Sequence, residues 1–259
     1  MTTEWWKQLK SVTLHGPGDP PPLCATGASD EYRVARVALQ EAERDVRDRV
    51  EAVAEQRRSL PPGPLVPNYS LTEGPPDLRA GDDPMPVRLS DLFGPHDELV
   101  VYHVMFHPDD DAACAACSMF VDGLHGVSHH IVRRAALAVV GKAPIGKLRS
   151  WARTRGWHDV RIVSAYGTTF TTDVGTEGPR GGQFAAFSVF TRAGDEIRHQ
   201  YVGSTDFPDG TERGMDLMSP VWNVFDLLPS GRGSDEPEQL RPATRRGEAG
   251  RMSSAHRGS

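Results

Sequence analysis

The chain has 259 residues, with 29 Lys and Arg against 35 Asp and Glu and a net charge of −6. That balance, with no basic stripe, argues against a nucleic-acid partner, and no apolar run approaches the ~20 residues that span a bilayer. Three cysteines are too few for a disulfide framework. With no leader-like pattern in Met1–Lys10, they predict a protein of the reducing cytoplasm.

Residues 1–29, with Gly16-Pro17-Gly18-Asp19-Pro20-Pro21-Pro22 at their centre, lack periodicity and predict a flexible segment holding the isolated Cys24. Ser29-Asp30-Glu31 then offers a helix start. Tyr32, Ala35, Leu39, Ala42, Val46, Val50 and Val53 recur at three- and four-residue steps, which predicts a helix to about Arg58 with a narrow apolar stripe and ion pairs on its other face. Leu60-Pro61-Pro62-Gly63-Pro64 stops it. Residues 65–93 are punctuated by Pro and Gly, with short extended pieces around Tyr69–Leu71 and Val87–Leu89 and a helical turn at Ser90–Gly94.

Leu99–Phe106 is a continuous apolar, β-rich run, the pattern of a strand buried on both faces. Ser118–His130 reads as a helix and Ala135–Val140 as a second buried strand. A helix starts at Ala143-Pro144 with Leu148, Trp151 and Ala152 on its apolar face and ends at Gly156. Arg161–Tyr166 is a third strand. Phe184–Thr191, Ala193–Glu196 and Ile197–Val202 form a hairpin signature. Arg213–Leu228 reads as a final element with core-like spacing, Pro220 sitting near a helix start or kink, and the chain beyond residue 230 as a disordered tail. The domain plan is a segment 1–29, a helix 30–60, an α/β domain 61–230 and a tail 231–259. Strands and helices alternate from residue 99 and end in a hairpin and a helix. That order predicts a central mixed sheet flanked by helices, on the thioredoxin-like plan, with an N-terminal helical extension.

Cys114 and Cys117 fall where this plan places ligands, after the first strong strand and at the start of a helix. Residues three apart share a helix face, so the two sulfurs can reach bonding distance. The helix N-terminus favours a thiolate at the first of them. Cys114 is the candidate nucleophile, Cys117 the resolving thiol and His107 a further candidate as base or thiolate partner. Asp109, Asp110 and Asp111 would oppose ionisation of a nearby thiol if they pointed at it. Cys114 and Cys117 with two of His103, His107, His125, His129 and His130 would make a four-ligand zinc set, but the spacing matches no strong zinc pattern. His103, inside a strand, reads as a satisfied core histidine, and Tyr166 as a packed core tyrosine. Gly178-Pro179-Arg180-Gly181-Gly182 lacks the lysine and following helix of a phosphate loop and reads as a flexible connection.

Several ordered stretches resemble a known family. They are 52–61, Leu89-Ser90-Asp91-Leu92-Phe93-Gly94, Val101–Phe106, the cysteine pair with Ser118, Ala143–Leu148, Gly156-Trp157, Ser164–Phe170 and Asp226–Arg232. Over residues 30–232 the chain is similar to the bacterial thioredoxin-like proteins catalogued as domain-of-unknown-function family 899. The resemblance implies a thioredoxin-like fold with a helical N-terminal extension and no established reaction. The chain departs from its relatives in having Ala115-Ala116 where the family usually has a proline between the cysteines. It also lacks a proline at Gly181-Gly182-Gln183-Phe184, where thioredoxins carry one. Asp111 stands where peroxiredoxins place Thr or Ser. The expected activity is thiol–disulfide exchange, with peroxide reduction as a further possibility, and no cofactor. The expected partners are a thiol or disulfide substrate and a thiol electron donor, with no membrane, and a homodimer through the terminal helices. A non-enzymatic binding module of the same fold, or a Cys/His metal-binding protein, is the alternative.

Overall fold

The computed structural model describes residues 24–207 and 213–232. Most of the N-terminal segment and nearly all of the C-terminal tail named above lie outside the described residues. The chain divides into two compact units, one ending at Leu60 and the other beginning at Pro61.

The first unit carries helix α1 (Asp30–Arg58). Ser29 caps it, its hydroxyl accepting the Tyr32 N–H at 3.2 Å. Asp30 and Glu31 in the first turn and Arg57 and Arg58 in the last complement the helix dipole. Ion pairs such as Arg36–Glu43 at 3.1 Å and Arg47–Asp48 at 2.7 Å line its charged side. No residue of α1 is buried, the apolar stripe included.

The second unit contains β1 (Ser70–Glu73), β2 (Met85–Arg88), α2 (Leu89–Leu92), β3 (Glu98–Val104), α3 (Ala115–Ile131), β4 (Ala136–Gly141) and α4 (Ile145–Arg155). After these come β5 (Arg161–Ser164), α5 (Phe170–Asp173), β6 (Ala186–Ala193), β7 (Glu196–Ser204) and α6 (Pro220–Phe225). The strands form one seven-stranded sheet in the order β2-β1-β5-β4-β3-β6-β7. β3, β4 and β5 are parallel neighbours, and β6 and β7 return antiparallel beside β3. A parallel β-α-β unit next to an antiparallel hairpin, with the cysteine pair after its first strand β3, is the thioredoxin-like arrangement.

Period-two alternation explains the continuous apolar run of β3. Tyr102 and Val104 face one core with Phe120, Val139, Leu148, Trp157 and Phe187. Leu99 and Val101 face the other, with Leu71, Phe93, Val140, Phe170 and Phe190. Two residues, Gly194-Asp195, join β6 to β7, Gly194 having the positive φ of 59° that this tight hairpin needs.

Long-range pairing decides what local pattern left open. The extended pieces near residues 70 and 87 pair as a hairpin and continue the sheet through β1 against β5. Arg149, on α4, is buried at 3% exposure. Its guanidinium donates to the carbonyls of Gly81, Pro75 and Asp77 at 2.9–3.0 Å and to the Asp82 carboxylate at 3.2 Å, pinning the loop that leads from β1 to β2. Arg153 and then Arg149 hold the Asp82 carboxyl below its ordinary range.

The C-terminal element needs correction. Instead of one helix, a 3-10 turn at Asp216–Met218 precedes α6, with Pro220 at its first turn. The proline starts a new helix and resets the helical phase. Met215 is buried and Val221 and Trp222 pack on the core, whereas Leu217, Met218, Val224 and Leu228 are exposed.

Candidate active site

The loop after β3 brings the chain back on itself, so that the Cys114 N–H donates to the Met105 carbonyl at 2.9 Å. This places Cys114 as the N-cap of α3, where its sulfur accepts the Cys117 N–H at 3.5 Å. The Ser118 N–H and hydroxyl both donate to the Cys114 carbonyl, at 3.0 and 2.9 Å, and Trp151 Nε1 donates to the Ser118 hydroxyl at 2.9 Å. The helix start is therefore tied to α4 without the proline that is missing between the cysteines.

The two sulfurs differ in environment. Cys114 is half-buried and Cys117 is 1% exposed; both are thiols, as is Cys24. The hydrogen bond of Cys117 to Cys114, followed by burial, pushes the Cys117 thiol well above its ordinary range. The Met105 N–H and the Tyr102 hydroxyl act in the opposite sense on the same sulfur. The two thiols thus differ in access, Cys114 half-buried at the helix N-terminus and Cys117 enclosed behind it.

His107 is half-exposed. Its Nδ1 accepts the Asp109 N–H at 3.2 Å and lies 3.6 Å from the Asp109 carboxylate. Nearby, burial would raise the Glu177 carboxyl, but the hydrogen bonds of Lys142 and Thr171 outweigh it and hold that carboxyl below its ordinary range. Asp109, Asp110 and Asp111 are exposed, and Lys147 fixes their loop by donating to the carbonyls of Pro108 and Asp110 at 2.7 and 2.8 Å. From the stretch Gly181–Phe184, the Gln183 Oε1 accepts the Phe106 N–H at 3.0 Å, one residue from Met105. No peptide bond among the described residues is cis.

The described histidines His103, His125, His129 and His130 form no metal-ligand group with the cysteines. Among the described residues, no three His, Cys, Asp or Glu side chains converge as a metal-ligand set. His103 lies on the opposite sheet face from Tyr102, 3% exposed, with Nε2 2.9 Å from the Ser188 hydroxyl. That hydroxyl also meets His199 Nε2 at 2.9 Å, so one serine bridges three strands. His125 lies 3.4 Å from the Asp159 carboxylate, and the His129 and His130 rings stand 4.0 Å apart in the last turn of α3. Two expectations fail. Tyr166 is 55% exposed rather than packed: β5 ends at Ser164, so Tyr166 lies two residues past the strand and outside its alternation of buried faces. Residues 178–182 are not a loose connection but a tight turn, closed by Gly178 N–H to Gly182 O at 2.8 Å and flanked by the Glu177–Gln183 bridge.

Burial pushes the His103 imidazole down to about 3, with His199 adding a smaller effect in the same direction. The unfolded chain therefore binds a proton between pH 6.5 and 3 that the folded protein refuses. The stabilising contribution is complete above pH 6.5 and falls with pH below it, by up to about 1.4 kcal/mol per unit. The urea midpoint is expected to be flat above pH 7 and to decline between pH 6.5 and 4.5, a window above the carboxylate titrations. His103→Gln should flatten that decline; an unchanged slope would show that His103 does not cause it.

Tyr102, Gln183 and the Ser118–Trp151 lock were not singled out in the sequence. The period-two face of β3 contained the signal for Tyr102, which shares its side of the strand with Val104 and hence with α3.

No helix among the described residues is long and apolar enough to cross a membrane. No curated protein matches the chain. Among solved structures it is similar to oxidized Prx3 from Vibrio vulnificus, with 13% identity and TM-score 0.41 over 61% of this chain and 98% of that one. It is also similar to a putative thioredoxin reductase from Burkholderia cenocepacia, with 15% identity and TM-score 0.44 over 62% and 97%. A third is AhpC from Mycobacterium tuberculosis, with 16% identity and TM-score 0.43 over 66% and 97%. The model of one sequence family matches residues 22–250, nearly the whole chain, and the protein belongs to that family, described as bacterial protein of unknown function (DUF899).

Proposed function

We propose that the chain is a thiol–disulfide oxidoreductase that works through the dithiol Cys114 and Cys117. The observation that carries the reading is the position of Cys114. It caps a 17-residue helix that follows the interior strand β3, half-buried, with a main-chain N–H donated to its sulfur. Helix-terminal donors and the dipole favour the thiolate there. Cys114 attacks a substrate disulfide and Cys117 resolves the mixed disulfide, with a second thiol returning the pair to the dithiol. No organic cofactor takes part, and the cytoplasm supplies the reducing thiol. A peroxide in place of the disulfide would give a sulfenic acid at Cys114, which Cys117 would condense to the same disulfide. His107 belongs to the reading as the ring on the loop leading to Cys114. With Nδ1 engaged by Asp109, its Nε2 is the atom left to meet a leaving thiolate.

A redox titration of the pair, read by mass spectrometry after alkylation, tests the proposal. The expected result is a two-electron midpoint between about −200 and −270 mV, the range of dithiol enzymes. A pair that never oxidises would defeat the reading and leave a binding module of the same fold.

A further inference from the structure

The reduced site contains a donor that it does not use. Tyr102 on β3 has no exposed surface. Its ring is held by Phe120, stacked at 6.0 Å, and by Phe187, edge-on at 5.0 Å, so the hydroxyl cannot swing to water. The oxygen makes no hydrogen bond of standard geometry. Phe120, on which the ring stacks, lies one turn after Cys117 on the same face of α3, and all three side chains belong to one core, so the hydroxyl is enclosed in the apolar space that also holds the Cys117 sulfur. Burial and then Cys117 push the phenol up, and the phenol draws the Cys117 thiol down. A neutral thiol is a weak acceptor, and a buried hydroxyl beside it stays poorly satisfied. Once the sulfur is a thiolate, the same O–H becomes a charge-assisted donor.

We propose that the Tyr102 hydroxyl stabilises the thiolate of Cys117 in the second exchange step, joining the Met105 N–H so that the end of β3 supplies both donors to the resolving sulfur. This inference rests on the dithiol reading above and extends it to a residue packed in the same core as the resolving sulfur. In the first step Cys114, its proton lost to solvent, attacks a disulfide R–S–S–R as the thiolate, forming Cys114–S–S–R and releasing RS⁻, which takes a proton from solvent. Cys117 then loses its proton to solvent, and its thiolate attacks the Cys114 sulfur. The Cys114–Cys117 bond forms, the bond to R breaks, and the second RS⁻ leaves and takes a proton from solvent. The two cysteines are oxidised by two electrons and the substrate disulfide is reduced to two thiols. Tyr102 keeps its proton throughout. Its hydrogen bond strengthens as charge arrives on Cys117, so it favours the charged state over the resting one. The first attack uses Cys114 and is unaffected.

The aromatic disulfide 5,5′-dithiobis(2-nitrobenzoic acid) separates the two steps, because each releases one coloured thiolate. In a Cys24→Ser background, Tyr102→Phe keeps the ring and removes only the O–H. The fast release from Cys114 is expected to be unchanged. The slower release driven by Cys117 is expected to fall about tenfold at neutral pH, and its pH profile to move to higher pH. Urea unfolding should show the variant to be no less stable than its parent, since an unsatisfied buried hydroxyl is removed. Alkylation of Cys117 against pH in a Cys114→Ser background gives a second reading, with the Tyr102→Phe change again moving ionisation upward. Normal release in both phases with an unmoved pH profile would overturn the role of Tyr102 and leave the dithiol intact. A parent protein that shows no second release and forms no Cys114–Cys117 disulfide would overturn the dithiol reading, and this inference with it.

Discussion

Replacing Cys114 by serine is expected to abolish reduction of a protein disulfide such as insulin, lowering turnover by on the order of 10³-fold or more. A hydroxyl at that position is the same shape but is not ionised near neutral pH, and the thiolate is the species that attacks sulfur. The substitution should cost little stability. Cys114 is half-buried, and serine is a good N-cap whose oxygen can accept the Cys117 N–H that the sulfur now accepts. Loss of activity with an unchanged unfolding midpoint is therefore the informative combination, measured by a turbidity assay and by denaturation. A Cys114→Ser protein that still turns over at the parental rate would remove the cysteine pair from the mechanism.

The second large effect is expected from Cys117→Ser. Cys114 then still attacks, but nothing inside the protein resolves the product. A mixed disulfide should accumulate to about one substrate thiol per chain, visible as a mass increase that dithiothreitol reverses. Turnover should stop after the first attack unless an external thiol is added. The asymmetry between the variants follows from burial, since a sulfur that is 1% exposed cannot meet a macromolecular substrate directly. In the parent protein the second step should quicken as pH rises. The Cys117 thiol is held above its ordinary range, chiefly by Cys114 and by burial, so its reactive form increases through the alkaline region. Accumulation of the mixed disulfide on Cys117 in a Cys114→Ser protein, rather than on Cys114, would reverse the assigned roles.

Much of this protein was determined by local sequence. The 3- and 4-residue steps from Tyr32 to Val53 define α1, and the structure places it at Asp30–Arg58. The unbroken apolar runs define β3 and β4, because a strand in contact with two cores must be apolar on both faces. Pro144 and Gly156 bound α4, and Gly194 the hairpin. The placement of Cys114 and Cys117 at a strand-to-helix junction was legible for the same reason: periodicity and punctuation act over a few residues. What the tertiary structure alone decided depends on contacts between distant positions. No local pattern shows that β1 will pair with β5, that Arg149 will bind the carbonyls of a loop some 70 residues earlier, or that one serine will join His103 to His199. Nor does spacing reveal which sulfur is buried or that it shares a core with Tyr102. Cysteines three apart on a helix share a face, but their inequality arises from what β3 presents beneath that face. The sequence determined where the thiols sit along the chain, and packing against the sheet decided which one faces solvent and which one waits in the core.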